Sequence, residues 1–269
     1  MVSTISFLAM IVTLCICLIV PIAALVIYAV KNKGKGVWLA WLLGAAGFFV
    51  MQIIIRSPIL SLLSLTEGFV KFANEYYVVY VLILAFTAAL FEVVARFFVA
   101  LILKKKGCYE VAFGAGLGHG GIEAMFLIGM TYINNLLYSA MINSGTYDAM
   151  VEQTAQMGVD VSSLVAAKAA LIETSPAMFL LAGYERILTM ILHIAMTVLV
   201  FYFVYKKKSA IGIVLCLLIH TLIDFVPAFL VGILSANMAY IVTYTFLTVM
   251  AIVGIIVLVV IKKKWKKNS

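Results

Sequence analysis

Residues 77–106, YVVYVLILAFTAALFEVVARFFVALILKKK, combine the two patterns that decide the fold. An apolar stretch longer than the roughly 20 residues that a helix needs to cross a bilayer runs directly into three lysines. Glu92 and Arg96 are the charged residues inside the apolar stretch. The segment therefore predicts a membrane-spanning helix that ends at a lipid surface and carries two charges inside the membrane.

The composition of the chain extends this pattern to all 269 residues. Hydrophobic residues make up 66% and charged residues 11%, against roughly 45–50% and 25% in soluble domains, which excludes a soluble globular protein. The apolar runs are too long for barrel strands of about ten residues. We therefore predict a single all-α, polytopic integral membrane domain over residues 1–269. Its seven predicted transmembrane helices are about 4–30, 37–55, 77–103, 109–133, 177–205, 209–234 and 238–261.

The net charge of +8 is concentrated in four lysine clusters that each follow an apolar run. The clusters are Lys31, Lys33 and Lys35; residues 104–106; residues 206–208; and residues 262–264 with Lys266 and Lys267. Short basic loops stay cytoplasmic and contact anionic lipid headgroups. This pattern predicts an external N-terminus, a cytoplasmic C-terminus and the lipid bilayer as partner, and it argues against binding of nucleic acid.

Two segments do not have the sequence pattern of a simple membrane-spanning helix. Residues 56–76, with Arg56-Ser57-Pro58, are too short and too broken, and we predict a re-entrant or interfacial segment there. Residues 134–176 form a predicted outer loop, in which residues 166–172 have the pattern of an amphipathic surface helix.

Ionisable residues inside the predicted spans are the main functional signal, because each costs roughly 2.5–3.5 kcal/mol on insertion scales. All three histidines of the chain lie within spans. At 1.5 Å per helical residue, several of these groups lie about 15–21 Å from the cytoplasmic helix ends, which predicts one shared layer. The residues in this layer are Glu92, His119, Glu123, His193 and His220. Glu185 and Arg186 lie nearer the outer end of their span, where structural pairing is the simpler interpretation.

Spacing within the helices adds a second constraint. The pairs Glu92/Arg96, His119/Glu123 and His220/Asp224 are each four residues apart, so both members lie on one helix face. For the first pair, a plain intrahelical ion pair is the alternative to a functional site. The glycine-rich residues 114–121 either let neighbouring helices approach closely or leave space beside the histidine.

Acids and imidazoles that share a site in the membrane suit the hydrolysis of an acyl bond. A buried glutamate can activate water, and histidines can donate hydrogen bonds to an oxyanion or bind a metal. The HExxH zinc motif is absent. The cofactor therefore stays open between none and a divalent metal such as zinc, for which His119, His193 and His220 are the candidate ligands.

Four motifs resemble the YhfC family of intramembrane proteases. They are FEVVARF at 91–97, GLGHGGIEA at 116–124, His193, and HTLID at 220–224, and the resemblance covers residues 77–234. That family is related to the CAAX-processing and bacteriocin-processing glutamate proteases and to PrsW, and more distantly to the APH scaffold subunit of γ-secretase.

The resemblance implies an intramembrane peptidase of the bacterial plasma membrane, which hydrolyses a peptide bond of a membrane-associated protein or peptide. It assigns catalytic roles to Glu92, Glu123, His193 and His220, and supporting roles to Arg96, His119 and Asp224. One feature departs from the pattern: the first motif usually begins with two adjacent acids, whereas Glu92 lies between Phe91 and Val93. Which glutamate activates water is therefore left open.

Three other functions fit the same residues. A non-catalytic scaffold would retain the polar cluster for helix packing. A haem- or ion-handling protein would use two facing histidines as ligands, although that leaves the glutamates unexplained. A proton-coupled transporter would use buried acids, but the sequence lacks a repeated pair of broken helices.

Overall fold

The computed structural model describes residues 1–266, and every regular element in that part of the chain is helical. Lys267 of the last lysine cluster lies outside the described residues. The helices are α1 (Thr4–Lys31), α2 (Val37–Phe48), α3 (Ser57–Ser64), α4 (Glu67–Glu75), α5 (Tyr77–Leu103), α6 (Tyr109–Glu123), α7 (Met130–Ser144), α8 (Tyr147–Gln156), α9 (Ser162–Glu173), α10 (Pro176–Tyr205), α11 (Ser209–Ile233) and α12 (Ala236–Lys266). Two π-helical segments, Phe49–Arg56 and Ala124–Gly129, link α2 to α3 and α6 to α7.

Seven helical segments of the described chain are long and apolar enough to cross a membrane. They are Thr4–Lys31, Val37–Ser64, Tyr77–Lys106, Tyr109–Ser144, Pro176–Tyr205, Ser209–Ile233 and Ala236–Trp265. This confirms the all-α class and the seven predicted spans of a multi-pass membrane protein. The orientation of the two termini stays a prediction.

The second span is longer than the sequence pattern predicted. We expected a break at Arg56-Ser57-Pro58, but the helix continues through these residues as far as Ser64. Pro58 lies in the first turn of α3, where the missing N–H group costs little. The preceding π-helical segment has already departed from the α-helical bonding pattern. Residues 67–75 form the separate helix α4, whose interfacial position stays a prediction.

The fourth span is also longer, because the helix of α6 continues through a π-helical segment into α7. The predicted outer loop 134–176 is therefore largely helical. Residues 166–172 do lie in a helix, α9, which an ion pair of 2.6 Å between Lys168 Nζ and Asp148 Oδ1 joins to α8. Its position on the membrane surface stays a prediction.

The chain forms two compact units. The first contains residues 1–21 and 124–187 and packs around buried residues that include Met10, Tyr132 and Phe179. In this unit Thr13 Oγ1 and the Tyr132 hydroxyl both donate to Phe179 O, at 2.6 and 3.0 Å. The second unit contains residues 22–123 and the described residues from 188 onward. That the whole chain acts as one integral domain stays a prediction.

Within the second unit, glycines let α6 pack closely against its neighbours. A Cβ atom on Gly118 would lie 2.0 Å from the carbonyl oxygen of Trp41 in α2. A Cβ atom on Gly116 would lie 2.6 Å from the Cα atom of Ile194 in α10. Real Cβ atoms do not approach backbone so closely. Close helix approach is therefore the role of these glycines, as the first of our two interpretations held.

We expect Gly118→Ala to lower the free energy of unfolding by about 1–3 kcal/mol, because the added methyl group overpacks the contact with α2. Gly68→Ala in α4 is the control, because nothing lies within 4 Å of a Cβ atom there. Thermal unfolding of the purified proteins in detergent measures the difference. Equal unfolding temperatures for the two variants would contradict the close-approach role.

Candidate active site

Glu92 and Arg96 lie one turn apart on α5 and form an ion pair inside the second unit. Arg96 Nη2 donates to Glu92 Oε2 at 3.0 Å. The two residues are only 4% and 1% exposed. Burial makes both charges dependent on protein partners, since neither is solvated by water. The predicted intrahelical pair therefore exists, but it is one contact in a larger network.

Arg96 also contacts two histidines from other helices. Its Nη2 atom lies 2.6 Å from Nδ1 of His193 in α10, and its Nη1 atom lies 3.3 Å from Nδ1 of His220 in α11. Its Nε atom donates to Thr197 Oγ1 at 3.3 Å. A guanidinium group has donors and no acceptor. Both Nδ1 atoms therefore accept, and we infer that each neutral ring carries its proton on Nε2.

His119 completes a group of three imidazoles next to Glu92. Its Nε2 atom lies 2.9 Å from Glu92 Oε2, where it acts as the donor. The ring stacks against His193, with 5.3 Å between centroids and 29° between planes. The rings of His193 and His220 meet edge to face at 5.5 Å. Residues from α5, α6, α10 and α11 thus meet at one carboxylate.

Two further carboxylates border this group. Glu123 Oε2 lies 2.6 Å from His193 Nε2. Asp224 Oδ2 lies 3.4 Å from His220 Nε2, which is itself 3.6 Å from Glu92 Oε2. The Glu123 side chain is buried, whereas that of Asp224 is 34% exposed.

All seven site residues that the sequence suggested therefore lie in one connected cluster. Their chemical roles stay predictions. Glu185 and Arg186 belong to the first unit, where their side chains pair with each other, as the structural interpretation expected.

Gln52 is a member of the cluster that the sequence reasoning missed. It is buried in the π-helical segment Phe49–Arg56. Its Nε2 atom donates to Glu92 Oε1 at 2.7 Å, and its Oε1 atom accepts from Arg56 Nη1 at 3.3 Å. The overlooked signal is that Gln52 is the lone amide within the apolar run 37–55. A polar side chain in such a run requires a partner in the membrane.

The cluster also contains a set of possible metal ligands. Glu92, His119 and His193 are all buried and offer ligand atoms within 4.8 Å of one another. Two imidazoles and one carboxylate are the ligands of many catalytic zinc sites, so the donor chemistry fits a divalent metal. The sequence had suggested His220 in place of Glu92. Arg96 contacts two of these three residues, so a metal ion would compete with its guanidinium group.

We expect Gln52→Leu to lower the free energy of unfolding by about 1–3 kcal/mol, because Glu92 Oε1 loses a buried donor. Gln153→Leu is the matched control, since Gln153 is exposed on α8. Thermal unfolding in the same detergent compares the two variants. If Gln52→Leu were no less stable than Gln153→Leu, the amide would have no part in holding Glu92.

Comparisons relate this geometry to known proteins. The YhfC intramembrane metalloprotease family matches residues 16–257 of the chain. A relative from Bacillus subtilis (strain 168), described as "Uncharacterized membrane protein YhfC", is 27% identical over 216 residues, which cover 80% of this chain and 81% of that protein. No solved structure matches the chain. Because the family match spans most of the sequence and includes every residue of the cluster, the chain belongs to the YhfC intramembrane metalloprotease family.

Proposed function

We propose that the protein is an intramembrane peptidase of the bacterial plasma membrane, which hydrolyses a peptide bond of a membrane-associated protein or peptide. The observation that carries the proposal is the contact of Glu92 with three imidazoles and a guanidinium group from four apolar helices. Such groups are costly inside a membrane, and a shared buried site is the usual reason to retain them. Membership of a family of that activity supports the same reaction.

Glu123 is the better candidate for the general base. Both oxygens of Glu92 already accept hydrogen bonds, Oε1 from Gln52 and Oε2 from Arg96 and His119. Glu123 is not one of the three candidate metal ligands, and its Oε2 atom lies 2.6 Å from Nε2 of the ligand His193. In this assignment Glu123 takes a proton from water, and His193 stabilises the carboxylate before that transfer.

His220 is the candidate donor to the carbonyl oxygen of the substrate. Its Nδ1 atom accepts from Arg96, so the inferred ring proton is on Nε2. That atom lies 3.4 and 3.6 Å from the carboxylates of Asp224 and Glu92. Both distances exceed the roughly 2.7–3.2 Å of a good N–H···O bond. This N–H group could therefore donate to an oxyanion as negative charge develops there.

Glu92, His119 and His193 would hold a divalent cation such as zinc. Bound there, the cation would supply Lewis acidity to water and to the substrate carbonyl group. Without a bound metal, the positive charge of Arg96 balances the negative charge of Glu92. Its guanidinium group contacts both Glu92 Oε2 and His193 Nδ1, so metal binding would require it to release or share these two residues.

A non-catalytic scaffold is the second candidate. The observation in its favour is that the acids and imidazoles of the cluster all contact one another or Arg96, as a network for helix packing requires. A scaffold predicts that substitutions in the cluster change stability alone. A peptidase predicts a loss of cleavage at unchanged stability in the conservative variants.

We expect Glu123→Gln to lower peptide cleavage by about 100-fold or more, the usual contribution of a general base, because the amide cannot accept the proton of water. Glu67→Gln, at the exposed start of α4, is the control. The assay uses the full chain in proteoliposomes and a library of apolar fluorogenic peptides, with unfolding temperatures measured in parallel. Full cleavage by Glu123→Gln would contradict its role as the base. If Glu123→Gln were less stable and neither the unchanged protein nor either variant cleaved any peptide, the scaffold would be favoured.

We expect His119→Ala to weaken zinc binding by about tenfold or more, because one ligand of the set is removed, whereas His220→Ala has a smaller effect. Equilibrium dialysis of the purified proteins against buffered zinc, followed by elemental analysis, gives both affinities without any reference to activity. A larger loss in His220→Ala would instead support the ligand set that the sequence suggested.

A further inference from the structure

A cavity of about 210 Å³ lies next to the π-helical segment that carries Gln52. It is bounded by α3, α4 and α5, all within the second unit. Its lining includes Arg56, Leu60, Phe72, Leu84 and Thr87. The steps of the proposed reaction given above make no use of this cavity.

The chemistry of the lining favours an uncharged apolar occupant. Most lining residues are aliphatic or aromatic, and Arg56 is the charged one among them. The nitrogens of Arg56 already donate to Leu84 O at 2.7 Å, to Gln52 Oε1 at 3.3 Å and to Thr87 Oγ1 at 3.4 Å. Its guanidinium group is therefore already hydrogen-bonded within the protein. Phosphate and carboxylate headgroups are poor candidates for this cavity.

The volume of the cavity limits the size of that occupant. A dry, apolar cavity of about 150 Å³ binds benzene, so 210 Å³ accommodates one aromatic or branched aliphatic side chain. Sites for whole small molecules usually measure about 300–1,000 Å³. The cavity is thus large enough for a single side chain and too small for a complete ligand or a whole lipid tail.

Hydrogen bonds link the cavity lining to the candidate active site. Arg56 lines the cavity and donates to Gln52, which in turn donates to Glu92 Oε1. A side chain bound in the cavity would therefore contact Arg56, which is hydrogen-bonded to the amide that holds Glu92.

We propose that this cavity is a specificity subsite, which receives one bulky apolar side chain, aromatic or branched aliphatic, of the substrate peptide. The inference rests on the proposed peptidase function and narrows its substrate class to peptides with such a residue. We assign the occupant to the substrate because Arg56 of the lining is hydrogen-bonded through Gln52 to Glu92 of the candidate active site.

Photocrosslinking tests the subsite without any need for catalysis. The probe is a short, capped alanine peptide that carries one photo-leucine, incubated with the full chain in proteoliposomes and mapped by mass spectrometry. We expect crosslinks to the cavity lining, lost in Leu60→Trp because the larger side chain fills the space. Leu62→Trp is the matched control, since Leu62 is 67% exposed on the same helix. Crosslinks absent from the lining, or equal in the two variants, would overturn the subsite.

Cleavage specificity provides the second test. Between peptides that differ only by leucine or alanine at one position, we expect Leu60→Trp to lower the preference for leucine by about tenfold. Phe72→Leu enlarges the same cavity, and we expect it to shift the preference towards bulkier side chains. Cavity crosslinks without any cleavage would refute the peptidase and leave the cavity as a binding site. Cleavage with unchanged preference in both variants would refute the subsite and leave the peptidase.

Discussion

The polar site is organised around the guanidinium group of Arg96 and its contacts. A charge buried among apolar helices has to be neutralised by groups of the protein. Arg96 is neutralised by Glu92 on its own helix, and its remaining donors reach His193, His220 and Thr197 on two other helices. The residue thereby sets the inferred protonation of two imidazoles and fixes the positions of α10 and α11 around α5.

The glycines of α6 serve the same site from another direction. His119 can reach Glu92 only if the backbone of α6 comes close to its neighbours. Gly118 provides this towards α2, and Gly120 towards α10, where a Cβ atom would lie 2.9 Å from Cβ of His193. Packing and chemistry are therefore coupled in this helix, because His119 lies between Gly118 and Gly120.

The two π-helical segments adjoin the cluster along the chain. Phe49–Arg56 contains Gln52, which holds Glu92, and Ala124–Gly129 begins directly after Glu123. A π-helical turn shifts the register of side chains around a helix, and such turns occur frequently at functional sites. In the first segment this places a glutamine and an arginine in one chain of hydrogen bonds, which ends at Glu92 on one side and at an apolar cavity on the other.

The fold class, the number of spans and the seven acids, imidazoles and guanidinium group of the cluster could all be predicted from the sequence, whereas Gln52 was missed. Hydropathy and helix rise are local properties, and spacing along a helix places pairs such as Glu92 and Arg96 on one face without knowledge of the fold. The tertiary structure was needed to find which partner each group has. It joined Gln52 to Glu92 and grouped Glu92 with His119 and His193 as candidate metal ligands, because distances between helices depend on side-chain packing, which periodicity does not encode.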